Sequence, residues 1–198
     1  MARFLGLTCR RHAHANAALT QSYRADMARS ISSKGHAQID RLLKEKKRYD
    51  LGAASPAERT RSTVARLGDW DLQNVHMFGE LGYPDPGTAI GERCDLMYLA
   101  YGNVPYRTYL QDPDGHFIRK QGLAAARAVR EWMFKSPLDH TTVLLGCHGV
   151  YMNALGIALL GEGHKYVDLL LDTAFGETQG YTISFYDGQP GNFQLHCD

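Results

Sequence analysis

Two arginines and a histidine stand together at Arg10-Arg11-His12, shortly after the apolar run Phe4-Leu5-Gly6-Leu7. That run reads as a buried strand. Guanidinium and imidazole groups cost too much to bury without partners, so packing gives no reason to end a strand this way. A polar cluster at the carboxyl end of a strand is what an open α/β sheet presents to a ligand. Arginine beside a candidate nucleophile points to an anion, most simply a phosphate. The same arrangement recurs at Thr141-Thr142-Val143-Leu144-Leu145-Gly146, a β-branched apolar run followed by Cys147-His148-Gly149. Between them, Arg59 lies one turn into a helix opened by Ser55-Pro56, and Glu80 follows Asn74-Val75-His76-Met77-Phe78. Asp85 and Glu92 are the rival carboxylates. These residue types suit phosphoryl transfer. Arginines and one histidine would hold the charge of the equatorial oxygens. The other histidine would attack phosphorus, and a carboxylic acid would protonate the leaving oxygen.

The elements that must position these groups alternate between strand and helix. Ala15 to Arg29 has no clean period and reads as a loop with a helical turn. Ser32 or Ser33 is the N-cap of a helix whose apolar side is Ile39, Leu42 and Leu43. Lys44 to Lys47 suit the solvated carboxyl end of that helix. Tyr49 to Ala54 is a second strand of small residues. Ser55 then reads as an N-cap with Pro56 at the first helical position, and Val64 and Leu67 face inward. After the third strand, Tyr83-Pro84-Asp85-Pro86-Gly87 is a turn-rich loop, and Gly91 to Tyr101 reads as a helix. Gly102 to Gly115 is a long irregular excursion carrying Tyr106 and Tyr109, of the kind that forms lids. Gly122 to Phe134 is a helix with Leu123, Ala126, Val129 and Met133 on one side. Val150 to Leu160 is an apolar helix behind the Thr141 strand, and Tyr181 to Tyr186 with Asn192 to His196 read as a terminal hairpin. The pattern predicts a three-layer α/β/α sandwich with a mostly parallel central sheet. The whole chain, 1–198, reads as one domain with a lid or insert at about 81–120.

Composition excludes several classes. The net charge of +1 gives no electrostatic case for nucleic acid or an anionic membrane surface. The longest apolar run, Ala154 to Leu160, is far too short to span a bilayer. The first residues lack a signal peptide's long apolar region, so a cytoplasmic location is expected. Cys9, Cys94, Cys147 and Cys197 have no C-x-x-C spacing and read as reduced thiols, not a zinc or redox site. No metal and no cofactor are expected, because the arginines supply the positive charge. His36, His76, His116, His140, His164 and His196 show no metal-ligand spacing.

Four motifs in order resemble those of the histidine phosphatase, or phosphoglycerate mutase-like, superfamily. Arg11-His12-Ala13 is similar to its Arg-His-Gly/Ala tripeptide, and Ile31-Ser32-Ser33-Lys34-Gly35-His36-Ala37-Gln38 resembles its Leu-Ser/Thr-x-x-Gly-x-x-Gln helix start. Ala54-Ser55-Pro56-Ala57-Glu58-Arg59-Thr60-Arg61-Ser62-Thr63 is similar to its Ser-Ser-Pro-x-x-Arg-Thr-x-x-Thr element, and Leu144 to Gly149 resembles its strand ending in His-Gly. The resemblance implies a phosphoglycerate mutase-like fold and a nucleophilic His12 that carries a phosphohistidine. It implies a phosphate pocket of Arg11, Arg59 and His148, with Gly149 beside it, and Glu80 as general acid. The asparagine usual in the family six residues after the histidine is replaced by Ala18; Asn16 and His14 stand nearest to take its part. Arg10 and Arg11 should point to opposite sides of their strand, so that one of them serves the pocket. The expected activity is metal-independent hydrolysis of a small phosphomonoester, or of phosphohistidine on a protein, with inorganic phosphate as product. A mutase-type phosphotransferase and a catalytically weak phospho-ligand or partner-binding member are the alternatives.

Overall fold

A computed structural model describes residues 3–19, 22–135 and 140–197. One central sheet runs through it, in the order β3-β2-β4-β1-β5-β6. Its strands are β1 (Phe4–Arg11), β2 (Leu51–Ala54), β3 (His76–Met77), β4 (His140–Cys147), β5 (Gly180–Tyr186) and β6 (Gln189–His196). The first four are mutually parallel, and β5 and β6 add an antiparallel hairpin. The mostly parallel sheet read from the sequence is therefore observed. β1 runs past its apolar part, however, and keeps Arg10 and Arg11 inside the ladder.

Alternation along the strands sorts the core into two layers. Leu5, Leu7, Cys9, Val143, Leu145 and Cys147 pack under α6 (Gly115–Met133) and α7 (Gly149–Leu160). Leu144 and Ala54 face α2 (Ser33–Leu43) and α3 (Glu58–Gly68) through Ile39, Val64 and Leu67. Sheet and two helical layers make the expected sandwich. The excursion is more regular than its composition suggests. It holds α5 (Tyr106–Leu110), whose Tyr106 and Tyr109 form a third apolar cluster with Ile118, Ala154 and Met97, the last from α4 (Ala89–Tyr101), the helix expected from Gly91 to Tyr101. Burying those aromatics is what converts a Pro- and Asp-rich stretch into helix. No helix among the described residues is long and apolar enough to cross a membrane.

Several boundaries move for identifiable reasons. Third-strand pairing shrinks to His76–Met77 because Leu72–Asn74 winds into a 3-10 turn. The terminal hairpin closes with two residues, Asp187 at φ 49° and Gly188 at φ 80°, the left-handed pair that a tight hairpin needs. The segment 15–29, of which residues 20 and 21 lie outside the described residues, contains the short helix α1 (Tyr23–Met27), capped by Ser22. A last short helix, α8 (Val167–Asp172), has no counterpart in the sequence reading.

Ser32 is the N-cap of α2, accepting from the Gly35 N–H at 3.2 Å. A Cβ on Gly35 would stand 2.2 Å from the His14 carbonyl oxygen, which no side-chain rotation can relieve. Gly35→Ala is expected to lower stability by about 1–3 kcal/mol, read as a reduced urea midpoint.

Candidate active site

The register of the sheet brings the histidines together. Arg11 and Cys147 are partners across β1 and β4, so the next residues, His12 and His148, leave the sheet side by side. Their rings meet edge to face at 5.3 Å. Ala54 pairs with Gly146, and the Ser55 N–H donates to the Gly146 carbonyl at 3.1 Å, which sets Ser55 on the third adjacent strand end. That bond also corrects the expected capping role. Ser55 is held by the sheet, α3 starts at Glu58 with Ala57 as its N-cap, and no side chain caps it. Ser55 Oγ instead lies 2.8 Å from His148 Nε2 and 2.6 Å from Thr60 Oγ1. Thr60 donates in turn to the Ala57 carbonyl at 2.6 Å, so a buried hydroxyl chain backs His148.

His12 has one nitrogen assigned by its partner. A carbonyl oxygen only accepts, so the 2.9 Å contact to Ala13 O makes Nδ1 the protonated nitrogen. Nε2 then carries the lone pair, and the Arg59 Nε–H points at it from 3.3 Å. Burial, and next the Arg59 guanidinium, pull the His12 pKa down to about 3. Burial, then His12, Arg59 and Arg11, hold His148 well below the ordinary imidazole range. Both rings are neutral at physiological pH in the folded protein. The unfolded chain protonates ordinary histidines near pH 6.5, so between there and about pH 3 it binds protons that His12 in the fold refuses. Stability should therefore fall as pH drops through that window. Urea midpoints measured from pH 7 to 4 should decline less steeply in His12→Ala than in the wild type.

The arginines divide as alternation requires. Arg10 is buried on the α2 side, donating to the Thr178 carbonyl at 2.9 Å and pairing with Glu45 at 3.7 Å. Arg11 faces the histidines. Its Nη1 donates to Phe175 O at 2.6 Å and to Asn103 Oδ1 at 2.9 Å, and its buried Nε has no partner among the described residues. An unpaired buried guanidinium nitrogen is a ready donor for an anion. A Cβ on Gly149 would lie 4.0 Å from the Arg11 guanidinium carbon and 3.5 Å from Asn103 Oδ1, so this glycine keeps the space beside Arg11 open. Arg59 is buried, although it stands in a helix's first turn where solvent exposure is the ordinary expectation.

The remaining candidates are placed differently. The His14 main-chain N–H donates to Gln38 Oε1 at 2.9 Å, and its Nδ1 lies 2.6 Å from Ser32 Oγ, so it ties the loop after β1 to the start of α2. Asn16 is exposed, its amide donating to Ser30 Oγ at 3.0 Å and its carbonyl accepting from Arg29 Nε at 2.6 Å. Glu80 is exposed, in the 3-10 turn Gly79–Leu81 after β3. Asp85 Oδ1 is occupied by the Gly87 N–H at 2.8 Å, and Glu92 is exposed in the first turn of α4. Three residues that sequence reasoning missed reach the site. Asp26 of α1 pairs with Arg59 at 3.0 Å, the Tyr83 ring meets His148 edge to face at 5.1 Å, and Asn103 meets Arg11. Tyr83 and Asn103 sit in the stretch expected to form a lid. Asp26 has no sequence signal, being one acid in an aperiodic segment.

The sequence matches no protein-family model and no curated protein. The structure is similar along its whole length to solved structures. Phosphoserine phosphatase from Entamoeba histolytica, in complex with 3-phosphoglyceric acid, superposes with a TM-score of 0.65 at 17% identity, covering 98% of each chain. Phosphoglycerate mutase from Bacillus anthracis gives 0.61 at 13% identity, over 100% of this chain and 93% of that one. This is a phosphoglycerate mutase-like fold. Mycobacterial glucosyl-3-phosphoglycerate phosphatase shares it too, with a TM-score of 0.57 at 16% identity and 98% of each chain covered. The phosphoglycerate mutase-like fold that the four motifs imply is thus found over the described residues.

Proposed function

We propose that this chain is a metal-independent phosphatase that hydrolyses a small phosphomonoester through a phosphohistidine on His12. The observation that carries the reading is the state of His12: a neutral ring, its Nδ1–H fixed on Ala13 O and its Nε2 lone pair beside the Arg59 Nε–H. Nε2 attacks phosphorus, and the P–O bond to the alcohol breaks. Glu80, protonated, gives its proton to the leaving oxygen. Its carboxylate then takes a proton from water as that water attacks the phosphohistidine, which releases inorganic phosphate and restores His12. Arg11, Arg59 and His148 hold the charge on the equatorial oxygens throughout.

Glu80 is favoured over its rivals by its surroundings. Its turn leads directly to Tyr83, which meets His148, whereas Asp85 closes its own turn and Glu92 belongs to the outer surface of α4. The 81–120 region is read as a lid, because Tyr83 and Asn103 come from it and meet His148 and Arg11. Such a rim suits a small substrate.

The test is hydrolysis of an aryl phosphate with EDTA present, combined with rapid acid and alkaline quenches of the labelled enzyme. Activity that survives EDTA, with a phosphoenzyme stable to alkali and labile to acid, is the expected result. Loss of activity in EDTA, or a phosphoenzyme stable to acid, would overturn the reading. Transfer to a second hydroxyl of the substrate in place of release to water would assign a mutase.

A further inference from the structure

The Arg59 guanidinium is used along two edges. Its Nε–H faces His12 Nε2. Its opposite fork is filled by one residue: Nη1 donates to the Asp26 main-chain carbonyl at 2.6 Å, and Nη2 donates to Asp26 Oδ2 at 3.0 Å. Tyr83 OH donates to the same Oδ2 and lies 3.4 Å from Nη2. The other carboxylate oxygen, Oδ1, accepts from Arg29 Nη1 at 3.0 Å, and Arg29 is itself tied to the Asn16 carbonyl. Arg59 is nearly fully buried, while Asp26 is about a third exposed. The carboxylate therefore reaches inward from a surface helix to a buried cation.

A planar fork held at both nitrogens cannot rotate about its long side chain. On the other edge the Nε–H is directed at His12 Nε2 from 3.3 Å, and Nη2 also donates to Tyr83 OH at 3.4 Å. We infer that Asp26 is the positioning residue of the phosphate site: it occupies the end-on fork of Arg59 so that the side-on edge alone is presented to the phosphoryl group on His12. The inference rests on the proposed phosphatase reading. Asp26 is held by two arginines and a tyrosine hydroxyl, and its action runs through Arg59. The pair also explains how a buried guanidinium stays charged between substrates, since its neutralising partner does not leave with the product.

The experiment is a double-mutant cycle of Asp26→Ala and Arg59→Ala, read by kcat/KM on an aryl phosphate and by inhibition with orthovanadate. Asp26→Asn is included, because it keeps a planar acceptor for Nη2, and thermal unfolding verifies that each variant folds. Asp26→Ala should cost about 30- to 100-fold in kcat/KM and weaken orthovanadate, as expected when a catalytic group swings by about an ångström. In the Arg59→Ala background the same change should cost less than about threefold, and Asp26→Asn should recover most of the loss. Additive losses would mean that Asp26 acts on the substrate independently and would overturn the inference. Tighter orthovanadate binding in Asp26→Ala would show a competing anion and would overturn it as well. Should Arg59→Ala alone have no effect, the phosphatase reading itself fails, an outcome distinct from both.

Discussion

His12→Ala is expected to abolish hydrolysis of an aryl phosphate, with a loss of at least about 10³-fold in kcat, and to leave no acid-labile phosphoenzyme. The size follows from the role. Losing the nucleophile removes the covalent route altogether, and the arginines that remain can bind phosphate but cannot split the reaction into two steps. Binding should therefore survive where turnover does not. Inorganic phosphate should protect His12→Ala against thermal unfolding about as well as it protects the wild type. Absence of protection in the variant would mean that the ring is part of the anion site, and residual turnover within tenfold of the wild type would remove His12 from the mechanism.

Arg59 is expected to cost nearly as much, and two substitutions separate its charge from its shape. The side chain acts through three nitrogens at once, Nε at His12 and both Nη atoms at Asp26. A lysine ammonium cannot span both. Arg59→Ala and Arg59→Lys should each lower kcat by about 10²- to 10³-fold, the range found for loss of a donor aimed at developing charge. Their pH profiles should differ. After burial, the Arg59 charge is the largest influence that holds His12 down to a pKa of about 3. Without that charge His12 protonates more readily, and a protonated Nε2 cannot attack. The acid limb of kcat/KM should move to higher pH in Arg59→Ala and stay low in Arg59→Lys. Coincident acid limbs in the two variants would show that the charge of Arg59 does not set the state of His12.

Much of this site is legible in the sequence because sheet topology is a short-range rule applied several times. A polar cluster after an apolar run marks a strand end, and parallel strands put their ends on one edge. Arg11 at the end of β1, His12 directly after it and His148 after β4 needed only that rule, and the β1–β4 register brings the two histidine rings into contact. Alternation alone assigned Arg10 and Arg11 to opposite faces, and the Arg10–Glu45 pair and the unpaired Arg11 Nε follow it. Ser55 shows where the local rule fails. Its sequence context is that of an N-cap, yet a backbone bond to Gly146 keeps it on the sheet and turns its hydroxyl to His148. A local preference worth about 1 kcal/mol yields when a neighbouring strand offers both a ladder bond and a buried hydrogen-bond partner.

What the sequence by itself determined is most of the elements, with α8 the exception, the alternation that orders them, and the placing of Arg11, His12, Arg59 and His148 at strand ends and a helix start, because each depends on residues within one strand or turn. The tertiary structure alone decided which groups complete the site. Asp26 comes from a short helix and Tyr83 and Asn103 from two separate loops, and each is an ordinary polar residue in its own segment. They become specific only where folding brings them against a buried arginine or histidine, since desolvated charge makes a single hydrogen bond matter far more than it does at the surface.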